Sequence, residues 1–166
     1  MISFVVHGVP ISQGSKRHVG DGRMIESSRK LAPWREKVAE AAATAMGERK
    51  PYNEPCWMAT RFVFWRPKAH YRTGQYAHML KPSAPERPMT YPDVEKLVRA
   101  VNDAIEGITF RNDSMVTWLL AEKAYGEKPG ALIVLGPMRE PMPERLLRAS
   151  DWDYHHAAAA LRMVEA

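Results

Sequence analysis

The chain has 166 residues, is 45% apolar and carries a net charge of +5. That is enough apolar material for one globular domain with a real core, and the basic balance favours an anionic partner. A single cysteine, Cys56, excludes a disulfide framework and zinc spacing, and no apolar run approaches the ~20 residues of a membrane span. No signal peptide is visible. A cytoplasmic protein with no membrane association and no nucleotide cofactor is expected.

Residues 2–8, Ile-Ser-Phe-Val-Val-His-Gly, read as a first strand that ends at Gly8 and Pro10. Residues 11–30 are rich in Ser, Gly and basic side chains, with a hairpin-turn signal at Gly20-Asp21-Gly22. Lys16, Arg17, Arg23, Arg29 and Lys30 are candidate phosphate contacts; the alternative is an ordinary solvated basic loop. His7 and His18 have no partner at metal-ligand spacing. Residues 33–46 form the first expected helix. Pro33 stands in its first turn, Trp34, Val38, Ala41, Ala42 and Ala45 share one side, and Gly47 is a stop.

Residues 57–65 are aromatic and β-branched enough for a central strand. Residues 66–89 carry Pro67, Pro82, Pro85 and Pro88 and no periodicity, and the stretch is long for a quiet loop. It sets Arg66, Lys68, Arg72, Lys81 and Arg87 against one acid, Glu86, and interleaves Tyr71 and Tyr76, which suit stacking on unpaired bases. A DNA-gripping flap would have this composition; so would a poorly ordered surface loop.

The chain is organised around residues 90–123. Val94, Leu97, Val98, Val101 and Ile105 fall at i, i+3, i+4, i+7 and i+11, which predicts an amphipathic helix stopped by Gly107. Asp93 and Glu95 stand at its start, and Asp113 follows its end. The helix from 95 to 106 is about 18 Å long, and the steps from 107 to 113 span at most about 20 Å, so a nearly taut return could bring the carboxylates together. Two of them 4 Å apart repel by about 4 kcal/mol at an effective dielectric of about 20, so such a cluster calls for a cation or a shared proton. Oxygen-only ligands with open positions suit Mg²⁺, with Mn²⁺ as a substitute. Each residue also has a structural explanation: a Thr90-x-x-Asp93 capping box, a Glu95–Arg99 ion pair at i, i+4, and a turn at Asn112-Asp113-Ser114.

Residues 115–125 and 131–135 read as two strands joined through 126–130 as a hairpin, with Lys123 on the first of them. Beyond Gly136 the composition shifts. Pro137, Pro141 and Pro143 suggest a linker, and 144–166 a charged tail with helical propensity. This divides the chain into a domain over 1–136 and a tail over 137–166.

Three stretches, Pro92-Asp93-Val94-Glu95-Lys96-Leu97-Val98-Arg99, Asp103-Ala104-Ile105-x-Gly107 and Asn112-Asp113-Ser114-Met115-Val116, together resemble the RusA family of Holliday junction resolvases. The family pattern runs Pro-Asp-x-Asp-Asn-x-x-Lys, Asp-Ala-Leu-x-Gly, Asp-Asp-x-Gln-Val, then a Lys on the next strand. The resemblance covers roughly residues 2–136. It implies metal-site roles for Asp93 and Asp113, a catalytic role for Lys123 and a supporting one for Asp103. Glu95 stands where the family usually has Asp, Arg99 where it has the catalytic-site Lys, Asn112 where it has the first Asp of the pair, and Lys96 where it has Asn. The Gly8-x-Pro10 step followed by Lys16 and Arg17 also resembles the family's basic N-terminal segment.

The expectation is an α/β domain, a mixed β-sheet with two α-helices packed against it, acting as a Mg²⁺-dependent endonuclease on branched DNA. Asp93, Glu95 and Asp113 would hold the metal, Arg99 and Lys123 would stabilise charge or position the phosphate, and Lys16, Arg17, Arg66, Lys68, Arg72 and Lys81 would grip the DNA backbone. The resemblance implies a homodimer making paired symmetric nicks at four-way junctions. The alternatives are a non-catalytic junction-binding protein and a nuclease for other branched DNA such as flaps or forks.

Overall fold

The computed structural model describes residues 1–14, 16–18, 24–26 and 29–142. Strands β1 (Ile2–His7), β2 (Lys16–His18) and β3 (Met24–Glu26) precede helix α1 (Leu31–Met46) and strand β4 (Cys56–Phe64). Helix α2 (Val94–Ile105) follows, then β5 (Val116–Tyr125) and β6 (Gly130–Pro137). β2 and β3 pair antiparallel on their own, as the hairpin signal predicts; the turn residues themselves lie outside the described residues.

The main sheet is mixed, in the order β1-β6-β4-β5. β6 runs antiparallel to β1 and β4, while β4 and β5 are parallel. A parallel pair needs a long crossover, and α2 supplies it. One expectation fails here: β5 and β6 do not form a hairpin, because β4 lies between them. Burial explains the order. Every residue of β6 is buried, so this uninterrupted apolar strand gains most with neighbours on both sides, whereas Thr117, Trp118 and Leu119 of β5 stay exposed at the sheet edge.

Both helices cover one face of the sheet. α1 turns Leu31, Trp34, Val38, Ala42 and Met46 inward, and α2 adds Leu97, Val98, Val101 and Ile105. They meet Ile2, Phe4 and Val6 of β1, Met58 and Phe62 of β4, and Ile133 and Leu135 of β6. On the opposite face Trp57, Ala59, Leu132 and Val134 make a smaller cluster. Residues 138–140, just after β6, pack back on the domain. Pro137 ends β6, Trp57 Nε1 donates to the Glu140 carbonyl at 2.9 Å, and Arg139 pairs with Glu54 at 2.6 Å. Residues 143–166, the expected tail, lie outside the described residues. Among the described residues no helix is long and apolar enough to cross a membrane.

Candidate nucleic-acid and metal site at the start of α2

Asp93 is the N-cap residue of α2, with an extended backbone, and its side chain makes no capping hydrogen bond. The expected capping box is therefore absent. The Asp93 carboxylate instead takes a hydrogen bond from Lys96 at 2.8 Å, three residues along the same helix face. That bond, with the charges of Lys96 and Lys123 behind it, holds the Asp93 carboxyl below the usual carboxylate range. The same bond and the charges of Asp93 and Glu95 raise Lys96, so its ammonium stays protonated at neutral pH.

Lys123 reaches the site from the end of β5. Its ammonium donates to the carbonyls of Thr90 at 2.8 Å and Pro92 at 2.9 Å, tying the strand to the segment that leads into Asp93. An ammonium has three donors, so one remains for a ligand. The N-terminal segment closes another side: Ser12 Oγ and Tyr91 Oη lie 2.7 Å apart, and the Gln13 amide donates to the Lys96 carbonyl at 3.0 Å. Glu95 and Arg99 are exposed, and the expected ion pair between them is not formed among the described residues.

Asp113 is elsewhere. Its backbone amide donates to the Glu106 carboxylate, at 3.4 Å, beyond the far end of α2. From Asp93 to Glu106 the helix axis advances roughly 20 Å at about 1.5 Å per residue. The taut return does not occur because residues 107–111 are used for the core. Gly107 takes φ +76 and donates to the Phe110 carbonyl, Thr109 and Phe110 are fully buried, and Tyr52 pairs with both Thr109 and Arg111. Asn112 then caps a short turn over Asp113–Met115, its side chain accepting from the Ser114 amide at 3.0 Å. Consistent with this, among the described residues no three His, Cys, Asp or Glu side chains gather to hold a metal ion. The donors at the α2 start fit a hard divalent cation in kind, being carboxylate oxygens; in number one chain brings Asp93 and Glu95.

Residues 66–89 have little regular structure. Short helical turns form at Lys68–His70 and Gly74–Tyr76, and a bridge between Tyr71 and Leu80 closes a small excursion. Arg66, expected to contact phosphate, serves as its staple. It donates to the Pro85 carbonyl at 2.7 Å and the Glu86 carbonyl at 3.2 Å, with its guanidinium 4.2 Å above the Tyr125 ring. Arg87 pairs with Glu122. Lys68, Arg72 and Lys81 are exposed, as is Tyr76, whereas Tyr71 is half-buried. Asp103 pairs with Arg35 and ties α2 to α1, a supporting role. Lys16 and Arg17 lie on β2, but their side chains, and Arg23 entirely, lie outside the described residues.

Lys96, Ser12 and Gln13 are the site neighbours that sequence reasoning did not assign. The i, i+3 spacing from Asp93 could have found Lys96; nothing local points to the other two.

In class, this is a basic α/β domain with a charged site where a loop enters a helix. The family model described as endodeoxyribonuclease RusA matches residues 7–135, and the chain belongs to the RusA family, nucleases that act on branched DNA. It is also similar to a Bacillus subtilis (strain 168) protein described as uncharacterized protein YqaN, 26% identical over 136 residues that cover 81% of this chain and 94% of that protein.

Proposed function

We propose that the chain is a divalent-metal-dependent endonuclease that resolves four-way DNA junctions by paired symmetric nicks, working as a homodimer. The observation that carries this reading is the meeting of Asp93 and Lys123 at the start of α2, with Glu95 in that helix's first turn, in a member of this nuclease family. Asp93 and Glu95 would hold Mg²⁺ or Mn²⁺, with Asp113 contributed by a second protomer. What supports a second protomer is β5: it is the outermost strand, and its Trp118 and Leu119 are 37% and 47% exposed. Antiparallel pairing of two such edges about a two-fold axis carries Asp113 of the partner subunit toward the Lys123 end of the first.

When bound, the ion supplies an acidified water and neutralises charge on the cleaved phosphate. Lys123 positions the Thr90–Pro92 carbonyls and turns its remaining N–H toward a phosphate oxygen. Arg99, exposed and without an ion pair among the described residues, adds a second cation one helical turn beyond Glu95. It cannot act as a proton donor, so its part is electrostatic. Lys68, Arg72 and Lys81 grip the backbone without reading sequence.

The test uses synthetic four-way junctions, linear duplex, flaps and forks with millimolar Mg²⁺ or Mn²⁺. Nicks near the crossover, abolished by Asp113→Asn with binding retained, support the proposal. Preferential cutting of flaps or forks replaces the substrate. Tight binding without nicking under either ion favours a non-catalytic junction binder, a reading encouraged by Lys96 sitting on Asp93. Mixing Asp93→Asn with Asp113→Asn protomers tests the shared site. A trans arrangement leaves one intact site in the heterodimer and restores single nicks, while a cis arrangement restores none.

A further inference from the structure

We propose that Lys96 is a tethered cation that holds the place of a divalent ion at Asp93 and competes with metal there. This rests on the reading of Asp93 as a metal ligand and adds a residue that reading does not use. The two ammoniums near Asp93 are held differently. Lys123 is anchored by two backbone carbonyls at 2.8 and 2.9 Å and cannot leave without freeing the loop. Lys96 has its backbone fixed, by α2 and by the Gln13 amide on its carbonyl, but its side chain is 41% exposed and Asp93 is the one side chain it hydrogen-bonds among the described residues. Its head is therefore the movable one.

The two cations compete at Asp93 through charge. The Lys96 ammonium occupies Oδ2 at 2.8 Å and leaves Oδ1 open, but an ammonium beside a doubly charged cation on the same carboxylate is repelled. The four-carbon stem lets Nζ swing out to water or to a DNA phosphate, carrying all three donors with it. Metal entry at Asp93 thus favours release of Lys96 as a phosphate ligand. An exposed pair at this spacing is weak, which makes it displaceable instead of a permanent block.

The experiment measures Mn²⁺ binding to the full chain without DNA, by titration calorimetry or by the paramagnetic resonance of free Mn²⁺. Lys96→Asn is compared with the unaltered chain, with Lys128→Asn removing the same charge from the exposed turn between β5 and β6. The expected result is roughly two- to fivefold tighter binding in Lys96→Asn, the scale of an exposed ion pair, and no change in Lys128→Asn. Equal, measurable affinities in the unaltered chain and Lys96→Asn overturn the role of Lys96 and leave Asp93 as a ligand. Equal tightening in both variants overturns it as well, since the effect is then general charge. Uptake in none of the three removes the metal reading of Asp93 and the proposal with it.

Discussion

Lys123 is the residue at which strand, loop and helix meet, and Lys123→Met separates its structural part from its chemical one. Methionine keeps the stem and removes the ammonium that bridges the Thr90 and Pro92 carbonyls at 2.8 and 2.9 Å. A hydrogen bond from a charged donor contributes about 1.5–3 kcal/mol when buried. Here the Thr90 bond is exposed and the Pro92 bond half-buried, so the pair together is worth nearer 2 kcal/mol than twice the upper figure. For a domain of this size that corresponds to a melting temperature about 4–8 °C lower, read by circular dichroism. Junction cleavage under Mg²⁺ should fall much further than the folded fraction at 25 °C does, because the segment entering Asp93 loses its tether and the phosphate loses a cation. Lys123→Arg retains charge but replaces a compact donor with a planar fork, and should recover stability more than cleavage. A Lys123→Met protein that melts and cuts like the unaltered one would refute the bridging role entirely.

Phe110→Ala empties a fully buried site in the turn that keeps Asp113 away from Asp93, and should destabilise by about 3–5 kcal/mol in urea unfolding; under 1 kcal/mol would mean the turn does not depend on it. Converting Lys68, Arg72 and Lys81 together to Ala should weaken junction binding and reduce the slope of log K against log salt by about 2–3, measured by fluorescence anisotropy; an unchanged slope would take them off the DNA. Burial first, and then the charge of Glu54, push the Cys56 thiol up, and its Sγ donates to the Glu54 carbonyl at 3.2 Å. A raised thiol holds less thiolate at neutral pH, so Cys56 should resist a disulfide reagent in the native protein and react once unfolded; prompt native reaction contradicts its burial. The Asp93 carboxyl is lowered by Lys96, so whatever stability that bond adds is present above the unfolded carboxylate value and lost as pH falls through the lower folded one. Lys96→Asn should abolish that part of acid unfolding.

Element positions were legible because each rests on a local signal. The apolar spacing from Val94 to Ile105 and the stop at Gly107 become α2, and Gly107 takes the positive φ that a stop needs. The continuous apolar run after Gly130 becomes a buried strand. What connects the elements was less legible. A short Gly-containing turn between two strands favours a hairpin, yet β6 inserts between β1 and β4 because a strand apolar on both faces is best covered on both sides. The packing of Arg66 was not legible for a related reason: charge in a loop suggests solvent, but nothing local foretells a carbonyl pair and an aromatic ring converging on that guanidinium.

The path of residues 107–113 shows why reach is a weak argument about a site. An extended chain could just return Asp113 to Asp93, but the extended limit leaves nothing for burying Ile108, Thr109 and Phe110, and that burial wins. Asp113 therefore stands in the turn before an edge strand whose other end carries Lys123 to the Asp93 loop. A chain that sets its acids near opposite ends of a ten-residue edge strand has an arrangement that the proposed antiparallel two-fold would repair twice, once at each end. Two nicks at one junction need two such sites held in fixed relation. The same edge pairing would then determine how many protomers act and how far apart their sites stand, and the mixed-protomer experiment reads both sides of that argument.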